Sequence, residues 1–442
     1  MTQPIEVFGL LGPEQLPSTR RLRTLGLGAT VRYFNDRAVP GMGGVWFAKQ
    51  LVLALFGVHM AERTGRSKVE VANAIEALGC WLAIHRRRLT RDPRVRGIRK
   101  LANIYEGELS FERARGRGFY VSQPMRMATV QPLPALGLVT ATSSRFNAFE
   151  CTDHGKALVA AFAEGYRPSK GTLDGAIARW IGGHEITLGG QIGQALDPRE
   201  PLAQPVRDLL LARLREGRPD EPDEDRRRRR GALDWVDWLR QHRSNAVDWT
   251  SRPPQIESES HWPDLEAGRR FFLARNAALN LLIAVERHVP TEGTVSIEQA
   301  LLQKVGAKID QLEAAARAFL ETGHQHLDAR RFCTECVVAD RAQVIRSLVD
   351  RDGIVLVRSG DRIAPGPLFA KPPDGDPGTT GANASAEDTA EEADGDEGPR
   401  SGIRWPPGTS FRLNHLFLLN VDLHGGLDAE LKLDRADSGE AP

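Results

Sequence analysis

Two histidines and two cysteines fall within thirteen residues, as His324-x-His326 followed by Cys333-x-x-Cys336. Zinc takes four nitrogen or thiolate ligands in a tetrahedron, and two cysteines separated by two residues can grip one ion. The set is chemically sufficient for one structural zinc, the sole cofactor the chain suggests; the other reading is none. The order is the reverse of the usual finger, and no glycine-rich knuckle surrounds Cys333. If residues 327–337 are helical, the cysteines still share a face but the histidines are poorly placed. The motif then reduces to two helical thiols beside polar histidines.

Other residues capable of chemistry point away from catalysis. Cys151 and His154 are three apart, but Cys151 occupies a position that reads as core, and Cys80 lies on an apolar helix. The chain has neither a Gly-x-Ser-x-Gly elbow nor a Gly-x-x-x-x-Gly-Lys-Ser/Thr phosphate loop. Asp234 with Asp237, and Asp422 near His424, are spacings that solvated helices show often. Arg32, Asn35, Asp36 and Arg37 form a dense polar group just before Gly41, Gly43 and Gly44. That group is the place to look for a site unlike any named motif.

The cations are the stronger signal. The formal net charge is +1, yet residues 1–150 hold 22 Lys and Arg against 11 Asp and Glu, which leaves −10 for the remainder. Arg86, Arg87, Arg88, Arg91, Arg94, Arg96, Arg99 and Lys100 make one cluster, and Arg113, Arg115 and Arg117 a second. Clustered cations with few compensating acids suit a polyanion, because affinity for phosphate is mostly electrostatic. A solvated charged face is the plainer alternative.

Directly after these clusters comes Gly118 to Leu158, GFYVSQPMRMATVQPLPALGLVTATSSRFNAFECTDHGKAL. A short helical segment ends in Leu136-Gly137-Leu138-Val139, alternation crosses a Ser143-Ser144 turn, and a strand returns from Phe146 to Cys151. Thr152 can cap the next helix by accepting from an unpaired amide. Cys151, Thr152, Gly155 and Leu158 match an apolar residue, Thr, two free positions, Gly, two free positions and Leu. This run resembles the wing region of bacterial winged-helix DNA-binding domains, over about residues 118–158. The resemblance implies that residues 125–136 approach a groove, that Arg126 and Arg145 join the basic clusters on duplex DNA, and that Arg145 sits at the wing tip. Pro132 and Pro134 would shorten or kink any such helix. A hairpin used only for packing or dimerisation is the alternative, with a protein partner or homodimer in place of DNA.

The elements needed to hold these residues are mostly helical. Helices are expected from about Val45 to Arg63 and from Ser67, where Ser67 and Glu70 can form a capping box. Further helices are expected from about Leu265 to Glu286, from Ser296 to Leu320, and from Ala342 to Val349. A strand at Ile354–Val357 and a turn at Ser359-Gly360-Asp361 make a second helix-and-hairpin unit. The fold class expected is mainly α with small β-hairpins and several domains. Residues 1–165 form a basic winged-helix-like domain and 166–217 a helical connector. Residues 218–232 form an exposed charged linker holding Arg226–Arg230, and 233–371 a helical domain. Residues 372–402 form an acidic disordered tract, and 403–442 a docking helix and tail.

Four cysteines in 442 residues do not make a disulfide framework, and MTQPIEVFGLLGPEQ shows no basic segment followed by an apolar core. The expectation is a cytoplasmic protein without a membrane partner, binding DNA and not catalytic. Arg-rich chains of this size without enzyme motifs occur as accessory components of bacterial mobile-element and antiphage gene clusters, an analogy of composition alone.

Overall fold

The computed structural model describes residues 23–86, 92–105, 109–116, 118–168, 171–185, 190–369 and 399–431, with the side chains at 86 and 300 excepted. The acidic tract expected at 372–402 lies outside the described residues except for its last four. The described residues are 59% helix with small antiparallel sheets. Among the described residues no helix is long and apolar enough to cross a membrane.

The helices Ala48–Thr64 and Lys68–Arg86 form the expected antiparallel pair. Gln50 fixes the entry of the first, its side-chain oxygen accepting from the amides of Trp46 and Phe47 at 3.0 and 3.4 Å. The expected Ser67–Glu70 capping box is replaced. Asn147 reaches the amide of Val69 at 3.0 Å, and Glu70 pairs with Arg115.

Apolar side chains collect in two cores. The first draws on residues 38–265 and 403–431, with the Ala48–Thr64 helix buried along almost its whole length. The second draws on Leu25, Leu27, Val31 and Phe34 together with residues 267–363. Two helices, Gly28–Ala38 and His261–Glu286, run from one core into the other, and Phe34 stacks on Phe271 at 5.2 Å where they meet. The helix Phe411–Leu423 packs against Asp223–Gln241, so the late chain closes the first core.

The Arg-rich segment expected as an exposed linker is helical instead. Asp223–Gln241 begins after Pro222 with Asp223, Glu224 and Asp225 in its first turn, where carboxylates complement the helix dipole. The block of acids followed by arginines is therefore a helix start. Glu224 and Arg228 pair at i,i+4 with 2.8 Å between them. Arg228 is 2% exposed and also reaches Asp264 at 2.7 Å, Ser260 at 2.6 Å and the carbonyl of Arg37 at 3.3 Å. Arg229, with no solvent contact, grips both oxygens of Glu221 and donates to the carbonyl of Leu214 at 2.8 Å.

Truncating one member of a buried ion pair strands the other charge, at a cost of about 3–5 kcal/mol. Arg229→Ala is accordingly expected to lower the unfolding free energy measured by urea denaturation by that much, and the urea midpoint with it. Arg227→Ala, on the exposed side of the same helix, is expected to stay within about 0.5 kcal/mol of the parent. Equal midpoints for the two variants, followed by circular dichroism, would remove Arg229 from the list of core-forming residues.

Candidate nucleic-acid interface

The hairpin read from the sequence is formed. Val139–Ala141 pairs antiparallel with Phe149–Cys151, Val139 opposite Cys151 and Ala141 opposite Phe149. A short 3-10 turn, Phe146–Ala148, replaces the first part of the expected returning strand. Phe146 and Phe149 are buried 5.1 Å apart, and residues 141–145 at the tip are all exposed. Thr152 donates to the carbonyl of Gly137 at 2.7 Å and accepts from the amide of Gly155 at 3.0 Å, so it joins the strand to the helix Asp153–Glu164. A Cβ at position 155 would lie 2.1 Å from the carbonyl oxygen of Leu138. Only glycine allows that approach, which explains the Thr-x-x-Gly spacing physically.

Asn147 anchors the hairpin on the rest of the fold. Its side-chain oxygen accepts from the Ser67 hydroxyl at 3.2 Å and from the amide of Val69. Arg145, two residues earlier, is thereby carried to the turn between the two long helices. Exposed Arg63 and Arg66 and half-buried Lys68 surround that turn. Sequence reasoning missed these three, which are separated from the wing by about eighty residues; the contacts of Asn147, and the bond from the Cys151 amide to Glu62 at 2.8 Å, attach the hairpin to that turn.

The expected segment 125–136 does not form a recognition helix. It is a 3-10 turn, Met125–Thr129, and a single helical turn, Pro132–Ala135, with Met125, Leu133 and Leu136 fully buried near the Ala48–Thr64 helix. Two prolines and a run of apolar side chains commit it to the interior.

The arginines named from the sequence divide into several environments. Arg94 is 7% exposed and binds Asp92 through two nitrogens, at 3.0 and 2.8 Å, and Asp428 at 2.6 Å. Arg115 lies between Glu112 at 2.6 Å and Glu70 at 2.8 Å. Arg126 donates to Asn73 at 2.6 Å and covers the ring of Phe146 at 5.4 Å. Arg96 donates to the carbonyl of Gln123, and Lys100 to that of Gly118. Arg99, Arg113 and Arg145 are exposed. Arg87, Arg88, Arg91, Arg117 and the side chain of Arg86 lie outside the described residues. A cleft of about 460 Å³ opens at the root of the wing, lined by Ser67, Glu70, Asn73, Glu112, Arg115 and Asn147.

The structure does not bring the four zinc candidates together. Cys333 and Cys336 lie on the inner face of the helix Leu327–Cys336, packed in the second core. Burial raises both thiols, Cys336 to about 12. His326 caps that helix by accepting from the amide of Ala329 at 3.3 Å, and His324 pairs with Asp264 at 3.0 Å. Burial alone would raise Asp264, but the bonds from His324 and Arg228 outweigh it and hold the carboxyl below its usual value. Among the described residues no group of three or more His, Cys, Asp or Glu is placed to hold a metal.

The polar group at residues 32–37 is a structural joint. Asn35 accepts from the Ser410 hydroxyl at 2.8 Å, Asp36 pairs with Arg412, and the guanidinium of Arg37 covers the ring of Tyr33 at 5.3 Å. Glu76, which no motif or spacing singles out, is fully buried on the inner side of Lys68–Arg86 and accepts from the Tyr120 hydroxyl at 2.6 Å. Burial pushes its carboxyl up to about 7 against the partial opposition of Tyr120, Arg126 and Arg96. No protein-family model, curated protein or solved structure matches the chain.

Glu76 gives this interface a pH signature. Between pH 4.5 and 7 the folded state holds its proton while the unfolded chain releases it, so stability falls as pH rises through that window. The full loss, reached above pH 7, is on the order of 3 kcal/mol. Glu76→Gln is expected to match the parent near pH 4.5 and to melt progressively higher than it from pH 5 to 8. Parallel melting curves across that range would mean that Glu76 titrates normally.

Proposed function

We propose that the chain is a non-catalytic DNA-binding protein, and that it meets the duplex through its wing tip and the turn between its first two long helices. The observation that carries this reading is the exposed Arg145, two residues from Asn147, whose bonds to Ser67 and Val69 attach the hairpin to the turn that bears Arg63, Arg66 and Lys68. Exposed cations that no carboxylate neutralises release counterions from DNA when they meet phosphate, and that release is the main source of such affinity. The likeness to a bacterial winged-helix module is supported by the hairpin, the Thr152 cap and the close approach at Gly155. Base reading by residues 125–136 forms no part of the proposal, because none of those residues is exposed and the segment forms no recognition helix. Contact is with the phosphate backbone, through the wing tip and the helix turn.

Affinity for a duplex measured across a salt series tests this surface. The triple variant Arg66→Glu, Lys68→Glu, Arg145→Glu is expected to bind more than about tenfold more weakly at low salt. It should also show a salt slope shallower by about three, one for each lost phosphate contact. A folded triple variant with unchanged affinity and slope would overturn the proposal and turn the search toward a protein partner.

A further inference from the structure

The second helix-and-hairpin unit has an organisation that the first lacks. The helices Leu327–Cys336 and Arg341–Asp352 are joined by only the four residues 337–340, and Asp340 caps the second by accepting from the amide of Ala342 at 2.9 Å. Leu356–Ser359 and Arg362–Pro365 follow as a hairpin, turning at Gly360 with its φ of +60°. Val295–Ser296 pairs with the second hairpin strand, which gives the strand order first, third, second. A helix, a turn of three or four residues and a second helix is the arrangement that seats the second helix in the major groove of a duplex.

The helix Arg341–Asp352 is amphipathic in the sense such a role requires. Val344, Ile345, Leu348 and Val349 are buried in the second core. The outward side carries Arg341, Gln343, Arg346 and Ser347, ending at Asp350. These are guanidinium, amide and hydroxyl groups, the side chains whose donors and acceptors match base edges. No large apolar side chain lies on that side, so it lacks the anchor that a protein interface is built around.

Two ion pairs fasten the hairpin to this helix. Arg346 reaches Asp361 at the hairpin tip at 2.9 Å, and Arg358 grips both oxygens of Asp350 at 2.7 Å each. Arg341 pairs with Asp310 across to the helix Gln299–Leu320. All of these pairs are solvent-accessible, and exposed pairs are worth about 0–1 kcal/mol. An arginine can therefore leave its carboxylate for a base edge at little cost, while the carboxylates suppress indiscriminate attraction to phosphate.

We infer that the outward face of Arg341–Asp352 reads duplex DNA sequence, with Arg341, Gln343 and Arg346 as the base-contacting side chains. The inference goes beyond the phosphate-binding surface at the wing and does not require it. The site differs from that surface in its effect: it supplies selectivity for sequence and little general affinity.

The test selects duplexes from a pool with a randomised segment, using the full chain. The parent is compared with Arg341→Ala/Arg346→Ala, with Arg341→Lys/Arg346→Lys, and with the triple wing variant. The parent is expected to enrich a defined sequence. Both double variants should lose that enrichment by about tenfold or more, since lysine keeps the charge but not the two-pronged geometry. The lysine pair also guards against a folding defect, because its general duplex affinity and melting temperature should match the parent's. Absence of any enriched sequence with the parent, or the same sequence retained by both double variants, overturns the inference. Loss of enrichment in the double variants while the triple wing variant binds as the parent does would leave this inference standing and remove the wing surface alone.

Discussion

The end of the helix Gly28–Ala38 sets a condition that much of the molecule serves. A helix C-terminus leaves carbonyls without partners, and burying them unmet is costly. Here the carbonyls of Arg37, Ala38 and Val39 each accept from a buried side chain of a different segment. Arg228 supplies the first at 3.3 Å, His261 the second at 2.9 Å and Arg412 the third at 3.2 Å. Cations at this end also complement the helix dipole. His261 meets its carbonyl as a neutral ring, because burial lowers it to about 4. One helix end thus ties together segments nearly two hundred residues apart, at the seam between the two cores.

This seam explains what could and could not be read from the sequence. Apolar runs located helices such as Ala48–Thr64 to within a few residues, because their core-facing positions lie close together in sequence. Thr152 and Gly155 were legible for the same reason, since the cap and the close approach lie within the same few residues. Arg228 and Arg229 were not, because a run of arginines looks solvated unless its acceptors are known. Those acceptors come from Glu221 and Glu224 on one side and from Asp264 and the carbonyl of Arg37 on the other. The zinc reading failed by the reverse route. Its four residues are close in sequence, but a helix turns the cysteines inward while the histidines bond to Ala329 and Asp264.

The two hairpins are secured by different physics. The first is locked by side-chain bonds to backbone, through Thr152 and Asn147, and by two buried phenylalanines. Among the described residues its tip makes no such bond to another element, and it carries an exposed cation. The second is fastened by charge pairs that join it to the helix Arg341–Asp352, so the surface they share is close to neutral. The same residue type, arginine, therefore does opposite things in the two units. In one it is left facing solvent, and in the other it is held by a nearby carboxylate that keeps its geometry defined.

The excess of cations in the first 150 residues consequently overstates what a polyanion would meet. Lys49 is buried and donates to the carbonyls of Gln194 and Glu200, Arg94 is taken by Asp92 and Asp428, and Arg115 lies between two glutamates. A guanidinium already paired with carboxylates has few counterions left to release, so it adds little to the affinity that salt can modulate. Among the described residues of that stretch, outward cations lie at the wing tip and the turn beside it and at Arg99 and Arg113. A surface whose guanidiniums are already paired acts by geometry more than by net charge. The neutral, polar face of Arg341–Asp352 has the side chains for that task.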